Sequence, residues 1–284
     1  MPALLALVIV TAVWGVTFVQ VKDALELYPL FAFLAVRFAI ASVALAPVAA
    51  PRLRRAGWKP ATLLGALLAL GYALQTAGLD RTTVSSTGFI TGLYVVFTPL
   101  FAYVLFRIKV ARIVVLGVGL SLAGLALLAG VSVGEPGGDA LVLAGAAAFS
   151  LQIALMERYA PRYDAVAFTF VEMLAAFVGF AAIAVARGQV EVPRGWTVWG
   201  ALLVTGIFAS ALGFLVQTWA QRQLSAARTA LAFAMEPVWT AIFGFWLAGD
   251  RLGVVGWTGA ALIMAGIIVA EPAAADALRR LLRR

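Results

Sequence analysis

Three ionisable side chains, Arg37, Glu172 and Glu236, stand inside long apolar runs of this 284-residue chain. Charge in such surroundings is expensive, so each is expected to have a polar partner or to serve function. Glu236 is the strongest functional candidate. It directly precedes Pro237 in AMEPVWTAIFGFW, and a proline removes the N–H of a helical turn, frees a carbonyl and bends the segment. A carboxylate at a bend can bind an ammonium group or carry a proton. Arg37 and Glu172 are expected to act as gating charges or as satisfied structural contacts, a direct pair between them requiring helix tilt because their depths differ.

Helical rise of about 1.5 Å per residue puts the middle of each apolar run about ten residues from its ends. At that depth the first part of the chain carries Trp14 and Phe18, then Tyr72, Gln75 and Thr76, then Thr91, Tyr94 and Thr98. The second part carries Phe149, Gln152 and Met156, then Ser210, Phe214 and Gln217, then Phe233, Glu236 and Trp239. Tyr72 and Gln75 are three apart, as are Thr91 and Tyr94, so each pair shares a helix face. Amides, hydroxyls and rings gathered around one cavity would hold the polar ends of a zwitterion while its side chain lies against the rings, which suits amino acids, including aromatic ones. The plainer reading is that Trp and Tyr mark interfaces and that Ser, Thr and Gln bond between helices. Histidine and cysteine are both absent, which removes imidazole bases, thiol nucleophiles, disulfides and the usual zinc constellations together. No phosphate-binding G-x-x-x-x-G-K-[ST] loop occurs, and no cofactor or metal is expected.

These residues need elements to position them, and composition decides which. The chain is 64% hydrophobic and only 12% charged, where soluble domains hold about 25% charged residues. Apolar runs of about 20 residues recur from end to end, long enough to cross roughly 30 Å of hydrocarbon. They exceed the ~10-residue strands of a membrane barrel, and lipid requires each backbone to satisfy itself, so they are read as helices. Ten are expected, over 3–21, 30–49, 61–79, 84–106, 112–132, 140–157, 165–186, 197–219, 226–248 and 253–271. The first, lacking a basic leading region, reads as a membrane helix and not as a cleaved signal.

Lys and Arg set the orientation, because short cytoplasmic loops retain them. With the N-terminus inside, fifteen fall on the cytoplasmic side, five on the other, and Arg37 lies within a helix. Both termini are therefore expected in the cytoplasm. The net charge of +8 reads as a topology signal and needs no nucleic acid; the tail, 273–284, is basic enough to touch anionic lipid headgroups.

The chain also repeats itself. Residues 14–37 align without a gap on 149–172, which pairs Trp14 with Phe149, Tyr28 with Tyr163 and Arg37 with Glu172. Gly65-Ala-Leu-Leu68 matches Gly200-Ala-Leu-Leu203, Thr98-Pro99 matches Glu236-Pro237, and Gly117 with Gly124 matches Gly259 with Gly266. The expected organisation is thus an all-α polytopic membrane protein: helices one to five in residues 1–132, a linker over 133–139, and helices six to ten in 140–272. An odd number of helices per half makes the second half enter from the opposite side, the inverted-repeat plan of many secondary transporters. The glycines of the fifth and tenth helices are small enough to join the halves, or two protomers, closely.

With TAVWGVTFV in helix one, FLAVRFAIA in helix two, FITGLYVVFTPL in helix four and AMEPVWTAIFGFWLAGDRL in helix nine, the chain resembles the EamA family of the drug/metabolite transporter superfamily. The resemblance spans nearly the whole length and is most like the YddG-type amino-acid exporters. It implies a multi-pass inner-membrane exporter of amino acids or other metabolites, whose partners are a small-molecule substrate and membrane lipid. Export of nucleobases or cationic drugs is an alternative substrate class. A membrane-embedded enzyme or lipid-handling protein lacks a reactive cluster here, and a channel lacks a visible filter.

Overall fold

The computed structural model describes residues 2–129, 135–243 and 253–270, and no strand occurs among them. The first part forms α1 (Pro2–Leu25), α2 (Leu30–Ala49), α3 (Trp58–Leu79), α4 (Val84–Gly92), α5 (Tyr94–Phe106) and α6 (Arg112–Ala129). The second forms α7 (Pro136–Tyr159), α8 (Ala165–Ala186), α9 (Gly195–Leu203), α10 (Gly213–Ala220), α11 (Ala226–Phe233), α12 (Glu236–Phe243) and α13 (Val254–Val269). A π-helical segment, Val204–Leu212, joins α9 to α10. Side-chain oxygens start several of these helices by accepting otherwise orphaned N–H groups: Thr83 before α4, Glu135 before α7, Asp164 before α8 and Ser225 before α11.

Among the described residues, seven helical stretches are long and apolar enough to span a membrane, with two shorter apolar helices at Arg112–Leu127 and Val254–Val269. Polarity is arranged inside out. Leu5, Val43, Leu63, Val104, Val115, Val178 and Leu212 are exposed, whereas Arg37, Gln75, Gln152, Glu172, Gln217 and Glu236 are buried. Water as the only solvent would favour the reverse; hydrocarbon around the rim favours this arrangement.

Helices that match in sequence pack in matching ways. α6 lies along α13, and α2 along α8; α3 packs on α7 and α8, while α1 packs on α10 and α12 and the π segment on α2. The α6–α13 contact is close because glycine lies at its crossing points. A Cβ on Gly124 would stand 2.5 Å from the Gly259 carbonyl oxygen, and one on Gly117 would stand 2.6 Å from that of Gly266. The glycine stripes thus join two helices of one chain.

Contacts at the two ends tie the loops together. At one end Lys22 Nζ donates to the Thr82 carbonyl, Asp139 accepts from Thr82 and Ser86, and the Tyr28 hydroxyl donates to the Glu191 carbonyl. At the other, Asp164 N donates to the Arg55 carbonyl, the Arg158 guanidinium lies 5.2 Å from the Phe106 ring centroid, and Ala226 N donates to Glu157. Gly57 belongs to this second cluster, with φ +62° and a missing Cβ that would lie 2.6 Å from the Tyr163 ring. Gly57→Ala is therefore expected to cost about 1–2 kcal/mol, from left-handed backbone and ring displacement together, read as a lowered unfolding temperature in detergent.

Four local differences separate the expected helices from the observed ones. The helix expected from 140 begins at Pro136, capped by Glu135. The helix expected over 84–106 breaks at Leu93 between α4 and α5, and the one over 226–248 breaks between Phe233 and Glu236. The helix expected over 197–219 widens into π geometry across its middle. The expected helix ends at 132 and 248 and the tail 273–284 lie outside the described residues.

Candidate functional site

The helices surround a cavity with about 660 Å³ of non-atom space, a figure that takes in the open solvent at its mouth. α1 supplies Trp14 and Phe18; α3 supplies Tyr72, Gln75 and Thr76; Thr91 and Tyr94 flank the break between α4 and α5. From the second part come Phe149 and Gln152 of α7, Phe214 and Gln217 of α10, Phe233 of α11 and Glu236 of α12. Arg37 of α2 also lines it.

The break between α11 and α12 explains how Glu236 is held. In an unbroken helix the Phe233 carbonyl would accept from residue 237, but Pro237 has no N–H to give. Tyr94 takes that place. Its hydroxyl oxygen lies 2.7 Å from the Phe233 carbonyl oxygen and 2.9 Å from Glu236 Oε2. One hydroxyl hydrogen cannot serve both acceptors fully. A protonated Glu236 donates to the tyrosine oxygen and lets Tyr94 keep the carbonyl, whereas an ionised Glu236 competes for the same hydrogen. The proton on Glu236 and the bonding of the helix break are therefore coupled.

Arg37 is 4% exposed and held by neutral groups. Nε donates to Ser210 Oγ at 2.8 Å and Nη2 to the Tyr72 hydroxyl at 3.0 Å, with the guanidinium carbon 4.3 Å from the Tyr72 ring centroid. Ser210 lies within the π segment, and Trp14 Nε1 donates to the carbonyl of its neighbour Ala209 at 2.8 Å. π geometry recurs at functional sites; here it presents a hydroxyl and a carbonyl to two residues of the cavity wall.

Further along the same stretch Gln217 Nε2 bonds Gln152 and Gln221, and Gln152 Nε2 bonds Glu172, each at 3.0 Å. Gln75 bonds Thr91 at 2.9 Å. Glu172 is fully buried behind Gln152 and outside the lining, with Oε2 unpartnered among the described residues. Arg37 and Glu172 thus use different partners and do not pair with each other. Rings close the remaining surface: Trp14 meets Phe233 at 4.9 Å and Phe214 at 5.5 Å, and Tyr72 meets Phe149 at 5.1 Å between centroids.

Besides Glu172, four sequence candidates fall outside the lining: Thr98, Met156, Ser210 and Trp239. Thr98 is one turn beyond Tyr94, about 5.4 Å along the helix, and is fully buried with its hydroxyl unpartnered among the described residues. Trp239 turns toward α1, donating Nε1 to the Val8 carbonyl at 3.2 Å. Met156 is likewise buried away from the cavity. Sequence reading passed over Thr17, Val21, Leu79 and Ile153, which do line it. Each lies three or four residues from a recognised lining residue, and Thr17 hides its polarity by bonding its hydroxyl to the Trp14 carbonyl at 2.7 Å, so extension along the helix face would have found them.

Apolar outer faces, buried polar side chains and a central cavity are the build of a polytopic membrane transporter. The chain belongs to the EamA-like transporter family, whose model matches residues 1–130 and 136–270. It is 32% identical over 265 residues to an uncharacterized transporter of Archaeoglobus fulgidus, covering 93% of this chain and 84% of the relative. It is 26% identical over 223 residues to the uncharacterized transporter YyaM of Bacillus subtilis, covering 74% of this chain and 72% of that one. A solved crystal structure with 19% identity shares the fold, with a TM-score of 0.79 over 98% of this chain and 97% of the other. Family and relatives alike point to transport in place of catalysis.

Proposed function

We propose that this chain is a ten-helix secondary transporter of the inner membrane that exports small metabolites, foremost amino acids including aromatic ones, by alternating access. The observation that carries the reading is the composition of the cavity wall: amides, hydroxyls, rings and the Glu236 carboxylate converge on one space. Such a wall offers polar partners to a zwitterion's ends and ring faces to its side chain, as the YddG-type subgroup would require.

Inverted halves are supported from two directions. α1 ends beside Thr82, where α7 begins with Asp139 bonded to that same threonine, which supports opposite senses for the helices matched in sequence. The family model also fits the two parts of the chain separately. The end that gathers Arg55, Arg158 and Asp164 is the one richer in Lys and Arg, which supports a cytoplasmic side there and the reading of both termini as cytoplasmic. Rocking of the halves about the cavity would then expose it to each side in turn.

Uptake of labelled phenylalanine into proteoliposomes tests the reading. Saturable uptake competed by other amino acids is expected. Non-saturating flux would indicate a channel, chemical conversion an enzyme, and competition by nucleobases or cationic drugs alone a different substrate class. Gln75→Ala, which leaves Thr91 without its amide partner, is expected to reduce uptake about 5–10-fold; unchanged uptake would remove this pair from the site.

A further inference from the structure

The two charges of the cavity wall are not used alike. Glu236 shares a hydrogen with a tyrosine at a helix break, but Arg37 offers donors that nothing takes up. A guanidinium has five N–H donors in a planar fork. Those of Arg37 that are engaged lie on Nε and Nη2, and both acceptors are neutral hydroxyls. Nη1 makes no hydrogen bond among the described residues, although the side chain is nine-tenths buried and lines the cavity.

No carboxylate among the described residues hydrogen-bonds Arg37, and Glu236 attracts it only across the cavity. α8 brings Glu172, but its bonded oxygen is held by Gln152. α3 brings Tyr72, and the π segment brings Ser210. Glu236 shares the cavity but directs its bonded oxygen to Tyr94. A buried cation whose hydrogen-bond partners are all neutral retains donors for an anion, and a flat fork held at one edge, against the Tyr72 ring, is preset for a planar two-oxygen group.

We propose that Arg37 binds the carboxylate of the transported molecule, which makes it the residue that selects carboxylate-bearing substrates over neutral or purely cationic ones. The proposal rests on the reading of this cavity as a transport site. It assigns the two charges of the cavity opposite tasks, Arg37 for the carboxylate and Glu236 for a cationic group, with Tyr72 and Tyr94 orienting them. Ser210 is a positioning residue, acting on substrate only through the aim of the guanidinium.

Three probes that differ in one group each test it: phenylalanine, phenylalaninamide, which lacks the carboxylate, and 3-phenylpropionate, which lacks the amine. Equilibrium binding to the purified protein is read from tryptophan emission, since Trp14 lines the cavity, and transport is read in proteoliposomes. Wild type is expected to bind phenylalanine at least about 10-fold more tightly than the amide. Arg37→Gln is expected to weaken phenylalanine and phenylpropionate about 10–100-fold while leaving the amide nearly unchanged, the loss of charge-assisted bonds. Arg37→Lys should restore part of the preference, and Ser210→Ala, which keeps the charge, should weaken the two acids about 3–10-fold.

Equal losses for acid and amide in Arg37→Gln, or a wild type indifferent to the carboxylate or blind to all three probes, would overturn the proposal. If Arg37→Gln does not fold, the Ser210→Ala and Arg37→Lys comparisons decide by the same criterion. Carboxylate-selective binding without saturable transport would overturn the transport reading and leave the anchor standing.

Discussion

Glu236→Gln is expected to lower uptake of amine-bearing substrates about 10–100-fold, as removal of a charged partner does, and to flatten whatever response to pH the wild type shows. The argument follows from the single hydrogen of Tyr94. In the wild type that hydrogen goes to the Phe233 carbonyl when Glu236 carries a proton, and is contested when it does not, because the two acceptors stand at 2.7 and 2.9 Å. A glutamine amide donates permanently to the tyrosine oxygen, so the helix break is locked in the bonding pattern of the protonated acid. Tyr94→Phe removes the donor from both acceptors and strands the Phe233 carbonyl, at about 1–3 kcal/mol. The two changes act on one chain of bonds and should be strongly non-additive, the double variant transporting little worse than the poorer single one. Unaltered uptake and an unaltered pH profile in Glu236→Gln would remove both the ammonium-binding and the proton-carrying role.

The parts of this device differ in how far sequence exposed them. Glu236-Pro237 was legible because proline has a local and unavoidable consequence, a missing donor four residues from the Phe233 carbonyl. Which group would repair that defect was not legible, since Tyr94 arrives from a distant helix. The break at Leu93 gave no comparable warning, as it precedes Pro99 by a full turn and more. The π segment was hidden for another reason: VTGIFASAL contains no residue that forces wide helical pitch, and it is packing of Gly206 against Ile40 and the Arg37 carbonyl that the tertiary structure adds.

Depth counting located most of the cavity wall because a membrane helix has a known rise and a roughly known span. It could not fix rotation about the helix axis. Trp239 illustrates this: only three residues past Glu236, it is turned onto α1 and contributes its indole N–H to Val8. The repeat drew attention to Arg37 and Glu172 as equivalent positions, yet equivalence of position did not make them equivalent in use. Arg37 faces the cavity, while Glu172 stands behind Gln152, so the site inherits the scaffold's repetition without its chemistry.

That separation between scaffold and chemistry makes Gly124→Leu the most informative large perturbation away from the cavity. Neither α6 nor α13 contributes a lining residue, and the contact between them is made at Gly124 against the Gly259 carbonyl. A Cβ there would lie 2.5 Å from that oxygen, 2.8 Å from Ile263 Cγ1 and 2.9 Å from Ile263 N. Two of these neighbours are backbone of a helix and cannot swing aside as a side chain would, so α13 as a whole must move away. Even Gly124→Ala is expected to lose about 1–3 kcal/mol by overpacking, and the leucine variant more, seen as a lower unfolding temperature and a smaller monodisperse fraction in detergent. Gly119→Ala is the matched control on the same helix, because nothing lies within 4 Å of its added methyl; it should change stability by no more than about 0.5 kcal/mol. Protein that does fold with alanine at 124 should bind substrate with wild-type affinity, since the cavity wall is untouched. Equal stability of the two alanine variants would show that α6 and α13 are not held at glycine contact, and a selective loss of affinity at 124 would mean that their spacing sets the shape of the cavity.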